Sequence, residues 1–269
     1  METKQKYDLA FSVGQACACS LTLRTAHLQF ASFPFDWIAD ATLASRIDLL
    51  IRRFDHWLEK EDFIYRGRNP VNGLGNFFNR RTGLTHLHDF ADGPIEQSHA
   101  QVVAKYARRK KRLFDLIERS RRVLMVYIDS TKAGNERKPK LDEIVAARAG
   151  MSKAFPGVTF DFVHFALDKD RPFDRRVATC PTEGLTEMRF DYHSDISDVD
   201  YRLAAHALLS LGITVSDYRT DEERKAHKLK RQMEKYGAKT QWGLLWAKLR
   251  AKCVQTFRPF CRATTNPGK

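Results

Sequence analysis

Paired cysteines are what this sequence has least of. Its 269 residues hold five cysteines, Cys17, Cys19, Cys180, Cys253 and Cys261, odd in number and unevenly scattered. That pattern excludes a disulfide framework. Cys17 and Cys19 are too close for an unstrained bridge and lack the second pair that a structural zinc site needs, so neither a metal nor a cofactor is expected. No stretch approaches the roughly 20 continuous apolar residues of a membrane span. The first residues, Met1 to Tyr7, lack an apolar core and a small-residue cleavage site, so no secretory signal is read there. A cytoplasmic location is the expectation. Glycine-rich phosphate loops, dinucleotide fingerprints and internal repeats are also missing, which argues against a nucleotide-binding enzyme and a solenoid.

Charge is abundant and unevenly placed. The net charge is +13, and residues 221–269 hold thirteen Lys and Arg against four Asp and Glu, or +9, leaving +4 for residues 1–220. Two regions follow: a nearly balanced body, 1–220, and a basic helical extension, 221–269. Within the extension, 240–257 has the period of a helix with Trp242, Leu245, Trp246, Leu249, Cys253 and Phe257 on one face. Such a face fits an anionic membrane surface, placing the protein at the inner face of the membrane, or it packs on the body; both readings stand. Nucleic acid is disfavoured, because no RNA-binding signature or zinc-finger spacing accompanies the charge.

The body alternates element types without a strict order, which reads as α+β. Tyr7 to Val13 is a buried strand broken by Gly14, and a helix follows from Gln15. Asp40 can cap a helix whose apolar residues are Leu43, Ile47, Leu50, Ile51, Phe54, Trp57 and Leu58. Residues 66–83 read as a loop or short hairpin, Leu84 to Phe90 as a short strand, and 95–119 as a strongly basic helix. Val123 to Ile128 is the most hydrophobic run and a central strand. A helix from Leu141, strands at Val158 to Ala166 and near Thr186 to Tyr192, and a helix from Asp198 to Leu211 complete the body.

Cys17 falls in the first turn of the first helix, where free N–H groups and the helix dipole favour a thiolate. Against that stands the ordinary behaviour of cysteine as a small buried residue. Around it the run Ser12-Val13-Gly14-Gln15-Ala16-Cys17, the pair Leu23-Arg24, the box Pro34-Phe35-Asp36-Trp37 and the box His88-Asp89-Phe90 resemble a bacterial family of papain-like cysteine peptidases first catalogued as a domain of unknown function. The likeness covers residues 7 to 130 best, with Val13 in place of the usual leucine; the basic C-terminus lies outside the pattern. It implies a papain-like fold with a mixed or antiparallel sheet and a Cys-His site, and no particular substrate.

A papain-type site needs a thiolate, an imidazole to carry its proton and a polar group to orient the ring. Cys17 is the expected nucleophile; Cys19 turns away from it on the helix. His88 matches the family box and is the expected base, with His86 and His164 as alternatives; His86 and His88 alternate on a strand and should share a face. His193 reads as solvated. Asp129 is the expected orienting group, since papain-like sheets draw it from the strand beside the histidine, and Asp89 should point away from His88. Gln15 could donate to an oxyanion beside the Cys17 backbone N–H, and Asp36 should brace the loop next to Cys17. The basic run Lys105 to Arg112 reads as a solvated face or, if functional, an anion site.

These residues point to a thiol hydrolase or acyltransferase acting on an amide or ester. Its substrate stays open among peptides, acylated and glycosylated molecules. The competing reading is a binding or scaffold protein on a degenerate papain-like fold, associated with a membrane surface or an anion.

Overall fold

The computed structural model describes residues 5–15, 17–129, 139–192, 201–235, 237 and 240. Residues 241–257 of the expected C-terminal helix and the position of His193 lie outside the described residues. In chain order the elements are β1 (Gln5–Tyr7), β2 (Leu9–Ser12), α1 (Cys17–Thr25), β3 (Ile38–Asp40), α2 (Leu43–Ile51), β4 (Phe63–Arg68), β5 (Gly75–Asn79), β6 (Leu84–Phe90) and α3 (His99–Arg119). There follow β7 (Arg122–Ile128), α4 (Leu141–Ala154), β8 (Thr159–Leu167), β9 (Val177–Thr182), β10 (Leu185–Phe190), α5 (Tyr201–Ser210), β11 (Ile213–Val215) and α6 (Asp221–Lys235).

The principal sheet has the order β2-β7-β8-β10-β9. Its first four strands are parallel and only the edge strand β9 runs antiparallel, so the sheet is mixed. Parallel strands must be covered on both faces, and β7 obeys this with six consecutive buried residues from Val123 to Ile128. Side-chain alternation divides those residues between two cores. Leu9, Phe11, Val123, Met125 and Tyr127 pack with residues of α2, α3 and α4. Ala10, Leu124, Val126 and Ile128 pack on the other face with residues of α1 and α5. Each large side chain so buried contributes about 1.5–3 kcal/mol of transfer free energy.

A second sheet, β3-β6-β5-β4, is wholly antiparallel. The turn-rich stretch after Arg66 therefore lies within a hairpin, β4 and β5, whose Phe77 and Asn79 are buried. A short pair, β1 with β11, closes the N-terminal strand against the segment after α5. Gly212, at φ +68°, lets the chain leave α5 directly into that strand.

The structure revises two details. Thr42, not Asp40, caps α2, its hydroxyl accepting from Ser45 N at 3.2 Å. The helix also stops at Ile51, where the apolar period suggested Leu58. Arg53, Phe54 and His56 adopt positive φ there, and these turns carry Phe54 and Trp57 into the core without a continuous helix.

The chain divides into two compact units, residues 1–218 and 219–269. In the second, α6 has no buried residue among those described. Among the described residues no helix is long and apolar enough to cross a membrane.

Candidate active site

Cys17 is the first residue of α1, and the chain reaches it directly from the carboxyl end of β2. That edge of a parallel sheet is where open α/β sheets gather ligands. The tight entry depends on Gly14: a Cβ there would lie 2.6 Å from the Cβ of Cys19 and 3.0 Å from its sulfur. Cys17 is 8% exposed, whereas Cys19 is fully buried and donates its thiol to the Val126 carbonyl at 3.1 Å. Burial pushes the Cys19 thiol up to about 12. The two cysteines thus differ in kind, and Cys19 is packing.

Gln15, before the helix, is also buried. Its Nε2 donates to the Ala41 carbonyl at 3.1 Å, and its carbonyl accepts from Asp40 N at 3.0 Å. Its Oε1 has no partner. The segment it grips is strained, because Asp40 and Ala41 have φ of +62° and +60°, a region that non-glycine residues seldom enter. Arg46 holds this turn. Fully buried on α2, it donates to the Asp40 carbonyl through Nε at 3.1 Å and Nη2 at 2.7 Å, and to the Ile38 carbonyl at 3.1 Å. Its guanidinium lies 5.0 Å from the Phe35 ring, and burial draws its pKa down to about 10.

The turn Pro34–Trp37 forms a wall of α1. Asp36 is fully buried, and its Oδ2 accepts from Arg24 Nη2 at 2.8 Å, Gln29 Nε2 at 2.7 Å and Phe33 N at 2.9 Å. Its backbone carbonyl accepts from the Ser20 hydroxyl at 2.7 Å, and that hydroxyl also reaches the Cys17 carbonyl at 3.0 Å. Burial raises the Asp36 pKa even against the pull of Arg24 and Gln29. One carboxylate thereby ties the Cys17 helix to the turn.

The three candidate histidines have three different environments. β6 carries a register irregularity between the residues facing Gly75 and Phe77, placing His86 and Phe90 opposite them. Such a bulge re-aims side chains. His86 is consequently fully buried against Trp57, Phe63, Phe90 and Tyr106, while His88 is partly exposed with its ring 6.0 Å from Trp37. The expected shared face is lost to the bulge. His86 Nδ1 donates to Asp89 Oδ2 at 2.8 Å, and the same carboxylate accepts from Lys105 and from the Tyr106 hydroxyl. Burial alone would raise the Asp89 pKa; the His86 and Lys105 contacts overcome it and hold the carboxyl far below its usual range.

His164, on β8, has carboxylates at both ring nitrogens: Asp129 Oδ1 is 2.9 Å from Nε2, and Glu187 Oε2 is 3.3 Å from Nδ1. Burial opposes its charge, but the two carboxylates prevail and raise its pKa. Glu187 is pulled down to about 2, chiefly by the His164 hydrogen bond. With a carboxylate oxygen against each ring nitrogen, His164 has no nitrogen open to a thiol. Asp129 is thus bonded to His164, and no bond joins it to His88 among the described residues. The reason is topological: β7 neighbours β8 in the parallel sheet, whereas β6, with His88, belongs to the antiparallel one.

His88 contacts Asn72, whose Nδ2 donates to its Nδ1 at 3.0 Å. The Asn72 amide cannot turn over freely, because Nδ2 also donates to Leu87 O at 2.8 Å while Oδ1 accepts from Leu74 N at 2.9 Å. Nδ1 is thus an acceptor, the neutral ring carries its proton on Nε2, and that nitrogen has no partner. Burial lowers the His88 pKa, Asp89 opposes the shift and Lys105 adds to it. Contacts run from the Cys17 carbonyl through Ser20 to Asp36, and the neighbouring Trp37 ring faces His88.

Asn72, Arg46 and Glu187 were not singled out from the sequence. Arg46 left a signal, since it lies three residues after Leu43 and four before Leu50, inside the apolar stripe of α2. Asn72 sits in a turn-rich stretch with no period to mark it.

Residues 8–162 match the family model described as "Putative papain-like cysteine peptidase (DUF1796)", more than half of the chain. The chain belongs to this family. No curated protein and no solved structure matches it.

Proposed function

We propose that this chain is a papain-like thiol hydrolase or acyltransferase with Cys17 as nucleophile and His88 as its histidine. The observation carrying this reading is the position of Cys17, a thiol opening a helix at the carboxyl edge of a parallel strand in a family of papain-like peptidase type. The sulfur attacks an amide or ester carbonyl, the thiol proton passes to the imidazole and then to the leaving group, and the acyl-thioenzyme is released to water or another acceptor. Backbone N–H groups at the start of α1 would receive the oxyanion, and the Gln15 amide could join them only by releasing the Ala41 carbonyl that its Nε2 now holds. For His88 to accept a proton on Nδ1, Asn72 has to release that nitrogen; otherwise the ring must turn. Asp129 is reassigned to His164, and Asp36 becomes the brace of the Cys17 helix.

A second reading, a scaffold on a degenerate papain-like fold, is favoured by one observation. His86 and His164 are both consumed by internal carboxylates, and His88 has its Nδ1 occupied. Iodoacetamide separates the two. An active thiol at Cys17 is alkylated at pH 6.5 well ahead of the exposed Cys180, and its rate follows a titration below the ordinary thiol value of about 8.5. Equal rates at Cys17 and Cys180, with a midpoint near the free value, would leave the scaffold reading standing.

A further inference from the structure

The basic helix α3 carries cations on several sides, Lys105, Arg108, Arg109, Lys110, Lys111 and Arg112, and one row of them borders the candidate site. Lys105, Arg109 and Arg112 stand at i, i+4 and i+7, a single stripe, and α3 packs against the Pro34–Trp37 turn. At one end of the stripe Lys105 bonds Asp89, the neighbour of His88. At the other, Arg112 Nη1 donates to the Ser32 carbonyl at 3.2 Å. Arg24 meets it there from α1, with Nη2 3.0 Å from the Ser32 hydroxyl and its guanidinium 5.8 Å from the Trp37 ring. Between the two ends, Arg109 lies 5.1 Å from the Tyr106 ring, and its Nη1 is buried with no hydrogen-bond partner.

These four cations face two carboxylates. Asp36 is taken by Arg24, and Asp89 by Lys105 together with His86. Arg109 and Arg112 have no acidic partner among the described residues. Off the stripe, Lys111 pairs with Asp115 on its own helix, while Arg108 and Lys110 have no ion pair among those described; what sets Arg109 and Arg112 apart is their place beside Tyr106 and Ser32. Unneutralised positive charge therefore sits along the wall that carries Trp37 and leads to His88. Partly desolvated guanidinium groups are screened less than wholly exposed ones and suit carboxylate and phosphate oxygens.

We propose that this stripe selects substrates bearing an anionic group, a carboxylate or a phosphate, close to the carbonyl that Cys17 attacks. The inference rests on the thiol reading above. Arg109 and Arg112 are the anion-contacting residues, Arg24 and Lys105 fix the ends of the wall, and the substrate enters with its charged group toward α3.

Two alkylating reagents of nearly equal size test this on the full-length chain. Iodoacetate carries a carboxylate and iodoacetamide does not, and each rate at Cys17 is read by mass spectrometry of its peptide. Normalised to a small neutral thiol, the iodoacetate-to-iodoacetamide ratio at Cys17 is expected to be raised about fivefold at low ionic strength, with most of the gain lost near 0.5 M salt. In the double variant Arg109→Gln, Arg112→Gln the ratio should fall about threefold or more, while the iodoacetamide rate stays within about twofold. Slow alkylation of the buried Cys19 reports that the variant is folded. A ratio equal to the free thiol's, or one that ignores both salt and the substitutions, overturns the anion inference alone. Failure of both reagents to label Cys17 overturns the thiol reading and this inference with it.

Discussion

Two buried histidine clusters, one in each sheet, solve the same problem in different ways. At the carboxyl end of the parallel strands, His164 is clamped between Asp129 and Glu187, one imidazole between two carboxyl groups. In the bulge of β6, Asp89 is the hub, one anion receiving His86, Lys105 and Tyr106. The first cluster joins neighbouring strands within a sheet. The second fastens the antiparallel sheet to α3, the helix whose basic stripe borders the candidate site. The contrast shows why His88 is different: it is the one candidate histidine without a bonded carboxylate among those described, and the one with solvent access.

Removing the anionic hub should have the largest effect. Asp89→Asn leaves Lys105 without its counter-ion and Tyr106 and His86 competing for a weaker acceptor, so a loss of about 3 kcal/mol is expected. Urea unfolding with an unchanged slope measures it; a midpoint shift equivalent to under 1 kcal/mol would mean that α3 is held by its apolar contacts instead.

The parallel-sheet cluster predicts a pH-dependent loss. His164 has a folded pKa raised above its ordinary 6.5, so its contribution is complete below that value and fades as pH rises through the raised one. Glu187 is depressed from 4.5 to about 2, so its contribution is complete above 4.5 and fades as pH falls toward 2. The stability gap between the native chain and Glu187→Gln should therefore be widest between pH 4.5 and 6.5, about 2 kcal/mol, and narrow on both sides. A gap that is flat from pH 4 to 9 would break the pairing.

The smallest effect sharpens the difference at His88. Asn72→Ala removes an N–H donor that favours the neutral ring, and the His88 pKa should move up by about half a unit, read from its imidazole proton shifts. No movement would mean that burial and Lys105 alone hold it low.

Much of this architecture could be read from residue patterns, and what escaped did so for physical reasons. The strand at Val123 to Ile128 and the helix from Leu141 are long periodic or apolar runs, and both formed near their expected bounds. Strand β9 carries no such pattern: five of its six residues are exposed, so no burial is written into its sequence. The helix at Cys17 was visible because a glycine break follows a buried strand. Which strand neighbours which is a long-range fact, however, and it redirected Asp129 from His88 to His164. The bulge in β6 was equally hidden, because its extra residues are specified by pairing with Gly75 and Phe77 and not by their own identities.

The Asp36 knot also bears on the order in which the molecule assembles. Every bond to that residue described above comes from Ser20, Arg24, Gln29 or Phe33, all within one short stretch of chain. The β2–β7 ladder, in contrast, joins Leu9 to Val123 and must close a very long loop. Short loops close fast and at low entropic cost. The Cys17 helix and the Trp37 turn can therefore come together as a local nucleus, so that one wall of the site takes shape before the sheet that will carry it.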